Sequence, residues 1–187
     1  GDEFERKGYK EWGGKIQDDI TDATRWAIDQ KIADPDRIVI YGSSFGAYSA
    51  LEGVIREPEL YRCAIGYAGV YDLEMMSTTA DTSRSKLGKS YLQMVHGSDK
   101  NILREWSPVY TADRIKVPVF LIHGKEDWRA DFEQATKMKS ALEKNKKVFE
   151  WMEFKGTVHA EHDEATRNEI YERILAFIDK YLKPPVD

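Results

Sequence analysis

The apolar run Ile38-Val39-Ile40-Tyr41 leads without a spacer into Gly42-Ser43-Ser44-Phe45-Gly46, and a helix-like stretch follows. A strand that ends in Gly-x-Ser-x-Gly and opens directly into a helix needs a sharp reversal at the serine. Gly42 and Gly46, two positions before and after Ser44, keep side chains out of the way of that reversal, and the turn lifts the hydroxyl above the end of the strand. A helix that starts where its strand stops must pack back along a sheet. This one pentapeptide therefore points to an α/β architecture and to Ser44 as a reactive group.

The rest of the chain repeats the alternation. Ile16, Ile20, Ala23 and Ala27 recur at helical spacing ahead of the turn signal Asp34-Pro35-Asp36. Residues 45–56 read as the helix after the serine, closed off before Pro58, and Cys63 to Ala68 as the next strand. Between Tyr71 and Lys116 the apolar positions Met75, Met76, Tyr91, Leu92, Met94 and Val95 suggest short helices. Val117 to Ile122 reads as a buried strand with Pro118 near its start. Phe132, Ala135, Met138 and Leu142 mark a helix, Val148 to Phe154 a strand, and Ile170, Ile174, Phe177, Ile178 and Tyr181 a last amphipathic helix. Strands alternating with helices imply a parallel sheet with right-handed crossovers.

Composition narrows the function. The 187 residues carry 28 Lys and Arg against 33 Asp and Glu, a net charge of -5. That balance argues against a nucleic-acid partner, which calls for a basic face. The basic run Lys144-Asn145-Lys146-Lys147 suits a helix C-terminus, where cations are favoured. No apolar run approaches the roughly 20 residues of a membrane-spanning helix, so no membrane partner is expected. The single cysteine, Cys63, excludes an internal disulfide and lies in an apolar run as a small buried hydrophobe.

A serine hydroxyl needs a base within hydrogen-bond reach and a third group to orient that base. The acid is expected after a later strand, and His123-Gly124-Lys125-Glu126-Asp127 offers both Glu126 and Asp127. Of the four histidines, only His159 and His162 fall between the strand ending at Phe154 and the last helix. His123 ends a strand and reads as structural. His96 stands among polar residues and reads as a surface or loop histidine. The order Ser44, Asp127, His159 fits the template for this turn, with the Phe45 N–H facing the developing oxyanion at the helix start.

Taken together, Tyr9-x-x-Trp12-Gly13-Gly14, Asp18-Asp19, Asp36-Arg37-Ile38, Gly42-x-Ser44-x-Gly46, Ser107-Pro108 and His123-Gly124-x-x-Asp127 resemble the prolyl oligopeptidase family of serine peptidases. Tyr171-x-Arg173-Ile174-Leu175-x-Phe177-Ile178 is similar to that family's last helix. The resemblance implies Ser44 as nucleophile, Asp127 as orienting acid, His159 as general base, and Phe45 as oxyanion donor and pocket residue. It also implies an apolar substrate pocket at Phe45, Val70 and Leu73, suited to proline or another small apolar side chain; core packing is the other reading of Val70 and Leu73. Two positions depart from the family: Val158 stands where a glycine usually precedes the histidine, and Ala130 where a valine is common.

The resemblance further implies that residues 1–187 are the C-terminal part of an α/β-hydrolase domain. The first strands, a second oxyanion donor and a β-propeller would then lie outside this chain. On that expectation the strand Ile38–Tyr41 is an exposed apolar edge open to pairing, as a homo-oligomer or with a complementary segment. One missing oxyanion donor costs about 10²–10³ in rate, so residues 1–187 alone are expected to be weakly active or inactive. The expected reaction is hydrolysis of short peptides through an acyl-enzyme, with no metal or organic cofactor. An esterase on small esters and a non-catalytic binding relative are the alternatives. The sequence assigns no compartment.

Overall fold

The computed structural model describes residues 1–155, 159 and 163–182. In chain order the elements are α1 Asp2–Lys7, α2 Lys15–Asp29, β1 Val39–Ser43, α3 Phe45–Arg56, β2 Cys63–Tyr67, α4 Leu73–Thr79, α5 Lys86–His96, α6 Lys100–Glu105, α7 Pro108–Thr111, β3 Val119–Gly124, α8 Phe132–Lys144, β4 Phe149–Phe154 and α9 Glu164–Leu182. The four strands pair in the order β1-β2-β3-β4, every pair parallel. Parallel neighbours require crossovers over a face of the sheet, and helices accordingly cover both faces. This is the α/β arrangement expected from the alternating pattern.

The strand period of two sorts the core into two layers. Ala64, Val119 and Leu121 point to one face, where Leu51 and Val54 of α3 and Met138 and Leu142 of α8 pack against them. Cys63, Ile65, Phe120 and Ile122 point to the other, against Ile170, Ile174 and Phe177 of α9. β2 and β3 are buried along their whole lengths because they are central and covered twice. β1 is the edge of the sheet among the described residues and is only half-buried, with Tyr41 half exposed. Cys63 is buried as expected, and burial pushes its thiol up to about 12.

Two sequence expectations are corrected. In α2 the row Ile16, Ile20, Ala23 and Ala27 is not the buried face: Ala23 is exposed, and the buried positions are Gln17 and Thr21. The reason is that α2 meets α3 through hydrogen bonds rather than apolar contact. The Gln17 amide donates to Ser49 Oγ (3.2 Å) and to the Trp12 carbonyl (2.9 Å), and Thr24 Oγ1 lies 3.1 Å from the Tyr61 hydroxyl. His96 is not a surface residue. It ends α5 fully buried, with its ring 5.8 Å from that of Trp12, and burial lowers its pKa against the pull of nearby backbone carbonyls.

The turn between β1 and α3 sets the position of everything above the sheet. Ser44 sits at φ 56°, in the left-handed region that costs a non-glycine residue energy. Its N–H donates to the Tyr67 carbonyl (2.9 Å), extending the β1–β2 ladder by one rung. A Cβ at Gly42 would stand 2.0 Å from the Gly46 carbonyl oxygen, whereas one at Gly46 would meet nothing within 4 Å. The two glycines of the motif are therefore unequal. Gly42→Ala is expected to destabilise the chain by about 3 kcal/mol or more and Gly46→Ala by less than about 1 kcal/mol, as read from urea unfolding. Equal effects at the two positions would contradict this account of the turn.

Candidate functional site

The site lies at the carboxyl ends of the strands, the edge where parallel sheets gather functional loops. Three non-glycine residues with positive φ stand there: Ser44 just after β1, Ala68 just after β2 and His159 after β4. Ser44 is the N-cap of α3, and Phe45 is its first helical residue. The N–H groups of a helix's first turn have no intrahelical acceptor, so the Phe45 N–H and the positive end of α3 are free to act on a negative charge beside Ser44.

Ser44, His159 and Asp127 form one hydrogen-bonded line. Ser44 Oγ lies 3.0 Å from His159 Nε2, and His159 Nδ1 lies 2.8 Å from Asp127 Oδ2. An ionised carboxylate only accepts, so Nδ1 carries the proton, and the bare Nε2 accepts from the Ser44 hydroxyl. Of the two acids that the sequence offered, Asp127 is buried and Glu126 is exposed. Of the two histidines, His159 is in reach; His162 and Val158 lie outside the described residues.

Asp127 is held from both sides. Its Oδ1 accepts the N–H groups of Arg129 (2.9 Å) and Ala130 (3.0 Å). Burial pushes the carboxyl up, but the hydrogen bonds from His159 and Ala130 and the charges of His159 and His123 outweigh it, and the group titrates below the usual carboxylate range. His123, as its position suggested, is structural. It is fully buried, its Nε2 donates to the Ala130 carbonyl (2.8 Å), and burial lowers its pKa. The same nitrogen is 3.5 Å from Asp127 Oδ2. Residues 123–130 thus close into a loop braced through Ala130, whose small side chain fits a buried cluster with Tyr48, Val70, Leu73 and Leu103.

The remaining sequence candidates lie beside this line. Phe45 is half-buried, its ring edge-on to Trp12 at 4.8 Å. Val70 and Leu73 are both buried in the Ala130 cluster, against which Phe45, Trp12 and Met76 pack. Leu73 has no accessible surface, so in this chain it supports the site from beneath.

One residue escaped the sequence reading. Gln134 is buried on α8, where its Oε1 accepts the N–H groups of Tyr71 (2.9 Å) and Asp72 (2.7 Å) and its Nε2 donates to the Asp72 carbonyl (3.0 Å). It fixes the loop after β2 that carries Val70. The signal was present: Gln134, Met138 and Leu142 form one helical row, and a polar residue in an apolar row needs partners.

With this geometry in view, comparison with known proteins is decisive. The sequence profile described as "Prolyl oligopeptidase family" matches residues 1–185. The chain belongs to the prolyl oligopeptidase family. This is a family of serine peptidases, and the chain is similar to dipeptidyl aminopeptidase BIII of Pseudoxanthomonas mexicana, 29% identical over 147 residues, covering 76% of this chain and 21% of that protein. Dipeptidyl peptidase family member 6 of Caenorhabditis elegans is 29% identical over 143 residues, covering 73% of this chain and 19% of that protein. The chain thus spans about a fifth of the length of these curated relatives. Among solved structures, a puromycin-hydrolyzing peptidase of Mycobacterium tuberculosis superposes with a TM-score of 0.87 at 26% identity, over 97% of this chain and 28% of its own. The uncomplexed acylaminoacyl peptidase of Pyrococcus horikoshii shares the fold, with a TM-score of 0.85 at 23% identity over 98% of this chain and 30% of its own. The fold is that of the α/β-hydrolase peptidases.

Among the described residues no group of His, Cys, Asp and Glu side chains could hold a metal ion, and no helix is long and apolar enough to cross a membrane.

The lowered pKa of Asp127 has a consequence for stability. A carboxyl depressed on folding stabilises the native state above its unfolded pKa of about 4 and loses that contribution as pH falls through the folded value. Asp127→Asn is therefore expected to lower urea-unfolding stability at pH 6, with the gap to wild type narrowing as pH falls below about 4. A gap independent of pH would contradict it.

Proposed function

We propose that this chain carries the catalytic serine, base and acid of a serine peptidase acting on short peptides. The observation that carries the reading is the line Ser44–His159–Asp127, with contacts of 3.0 and 2.8 Å, at the carboxyl ends of the strands in a chain of this family. Ser44 Oγ attacks the scissile carbonyl carbon while its proton passes to His159 Nε2. The carbonyl oxygen becomes an oxyanion that accepts the Phe45 N–H. Collapse of the tetrahedral intermediate breaks the C–N bond, and the amine leaves with the proton from Nε2. Water then attacks the acyl-enzyme, gives its proton to Nε2, and releases the acid and a regenerated Ser44 hydroxyl. Asp127 holds the Nδ1–H tautomer and stabilises the imidazolium as it forms.

Substrate choice follows from the apolar lining. Phe45 presents a half-buried ring, backed by Val70 and Leu73, which suits a proline or small apolar side chain before the scissile bond. The dipeptidyl and acylaminoacyl peptidases to which the chain is similar support short peptides as the substrate class.

A paired assay separates a peptidase from an esterase sharing the same three residues. With the complete protein, kcat/KM is measured on an aminoacyl anilide with proline or alanine before the cleaved bond and on the matching ester. We expect turnover of both, with anilide hydrolysis falling by about 10⁴ or more in Ser44→Ala. Hydrolysis of the ester with no detectable action on the anilide would overturn the peptidase reading.

A further inference from the structure

Two turns along α3 from Ser44, a polar cleft of about 510 Å³ opens beside Glu52. Its walls are Arg56 on the same helix, Gly13 and Gly14 ahead of α2, Glu105 and Trp106 at the end of α6, and Arg114. Glu52 is only 2% exposed, and its Oε1 makes no hydrogen bond. A buried carboxyl oxygen without a hydrogen bond is costly, and the neighbouring arginine donates none to it. Arg56 is committed elsewhere: Nη1 donates to the Gly13 and Gly14 carbonyls, both at 2.8 Å, and Nη2 to Asp18 Oδ1 at 2.5 Å. At the rim, Arg114 and Glu105 are exposed and form no ion pair among the described residues.

The cleft therefore holds a buried carboxyl at its base and a free guanidinium at its rim. A simple cation would satisfy Glu52 and be repelled by Arg114; a simple anion would satisfy Arg114 and leave Glu52 unpaired. With Arg56 paired to Asp18, the uncommitted charged groups of the lining are the Glu52 and Glu105 carboxyls and the Arg114 guanidinium, so a ligand that meets both Glu52 and Arg114 must carry both signs. Ile55 and the Trp106 indole add apolar wall for a side chain. We propose that this cleft binds a zwitterionic amino acid, its ammonium group on Glu52 and its carboxylate on Arg114. The inference does not depend on the role of Ser44.

Binding should be linked to pH. Burial pushes Glu52 up to about 8, against the pull of Arg56 and Arg114 and with the push of Glu105. Tyr48, whose buried hydroxyl makes no hydrogen bond, faces the same charge. An ammonium group pairs with the ionised carboxylate, so the ligand must displace a proton at neutral pH, and its affinity rises with pH toward 8.

Isothermal titration calorimetry with L-leucine, N-acetyl-L-leucine and L-leucinamide tests each charge separately. L-leucine is expected to bind saturably at pH 8 and at least about tenfold more weakly at pH 6. The acetylated and amidated probes, each lacking one charge, should bind at least about tenfold more weakly than L-leucine at pH 8. Glu52→Gln should weaken L-leucine by a similar factor, and so should Arg114→Ala, an exposed substitution that spares the fold. Absence of saturable L-leucine binding at pH 8, equal binding of the three probes, or wild-type affinity in folded Arg114→Ala would overturn the proposal.

Discussion

Everything above the sheet depends on one backbone reversal. Ser44 is at once the residue that follows β1, the N-cap of α3 and a donor to the Tyr67 carbonyl of β2. It meets all three demands only at φ 56°, and only because Gly42 has no side chain to strike the Gly46 carbonyl. The strain is tolerated because α3 is over-determined. From Ala47 to Ile55 every residue of the helix is buried, and its contacts with β1, β2 and the loop before α2 hold the turn closed. A turn left to itself would relax, and the hydroxyl would drop from the strand end.

The same logic runs along the sheet edge. The left-handed backbone of Ala68, like that of Ser44, occurs where the chain leaves its strand abruptly, and His159 shares the positive φ. β3 solves the problem differently: its loop from His123 to Ala130 is folded around the Asp127 carboxylate, which gathers two backbone N–H groups and one imidazole. Burial alone would favour the neutral acid. The surrounding donors reverse that preference, and the resulting charge fixes which nitrogen of His159 holds the proton. Packing thus decides protonation, and protonation decides that Nε2 faces the Ser44 hydroxyl as an acceptor.

Much of this was legible in the sequence because it rests on local rules. α3 begins and ends at the residues the pattern marked, Phe45 and Arg56, since the glycine turn and Pro58 delimit it. The central strands and α9 were readable because full burial leaves an uninterrupted or strictly periodic apolar signal. The α2 face was misread because its docking is polar, and Gln17 and Thr21 carry no apolar signature. His96 was misplaced because short helices with mixed composition do not announce their buried side. Gln134 was missed because its partners, the backbone groups of Tyr71 and Asp72, lie more than sixty residues away, and the braces on Asp127 because they depend on the exact turn of the loop. Glu126 and Asp127 differ in burial, which adjacent residues in a loop do not reveal in one dimension.

The central claim is that Ser44 is activated by His159 held by Asp127. Intact-mass analysis after treatment with a fluorophosphonate tests it most directly, because that reagent forms a bond only with an activated serine. The account predicts one adduct per chain, mapped to Ser44, with the labelling rate falling by about 10³ or more in His159→Ala. Labelling of His159→Ala at the wild-type rate, or an adduct that persists in Ser44→Ala, would contradict it.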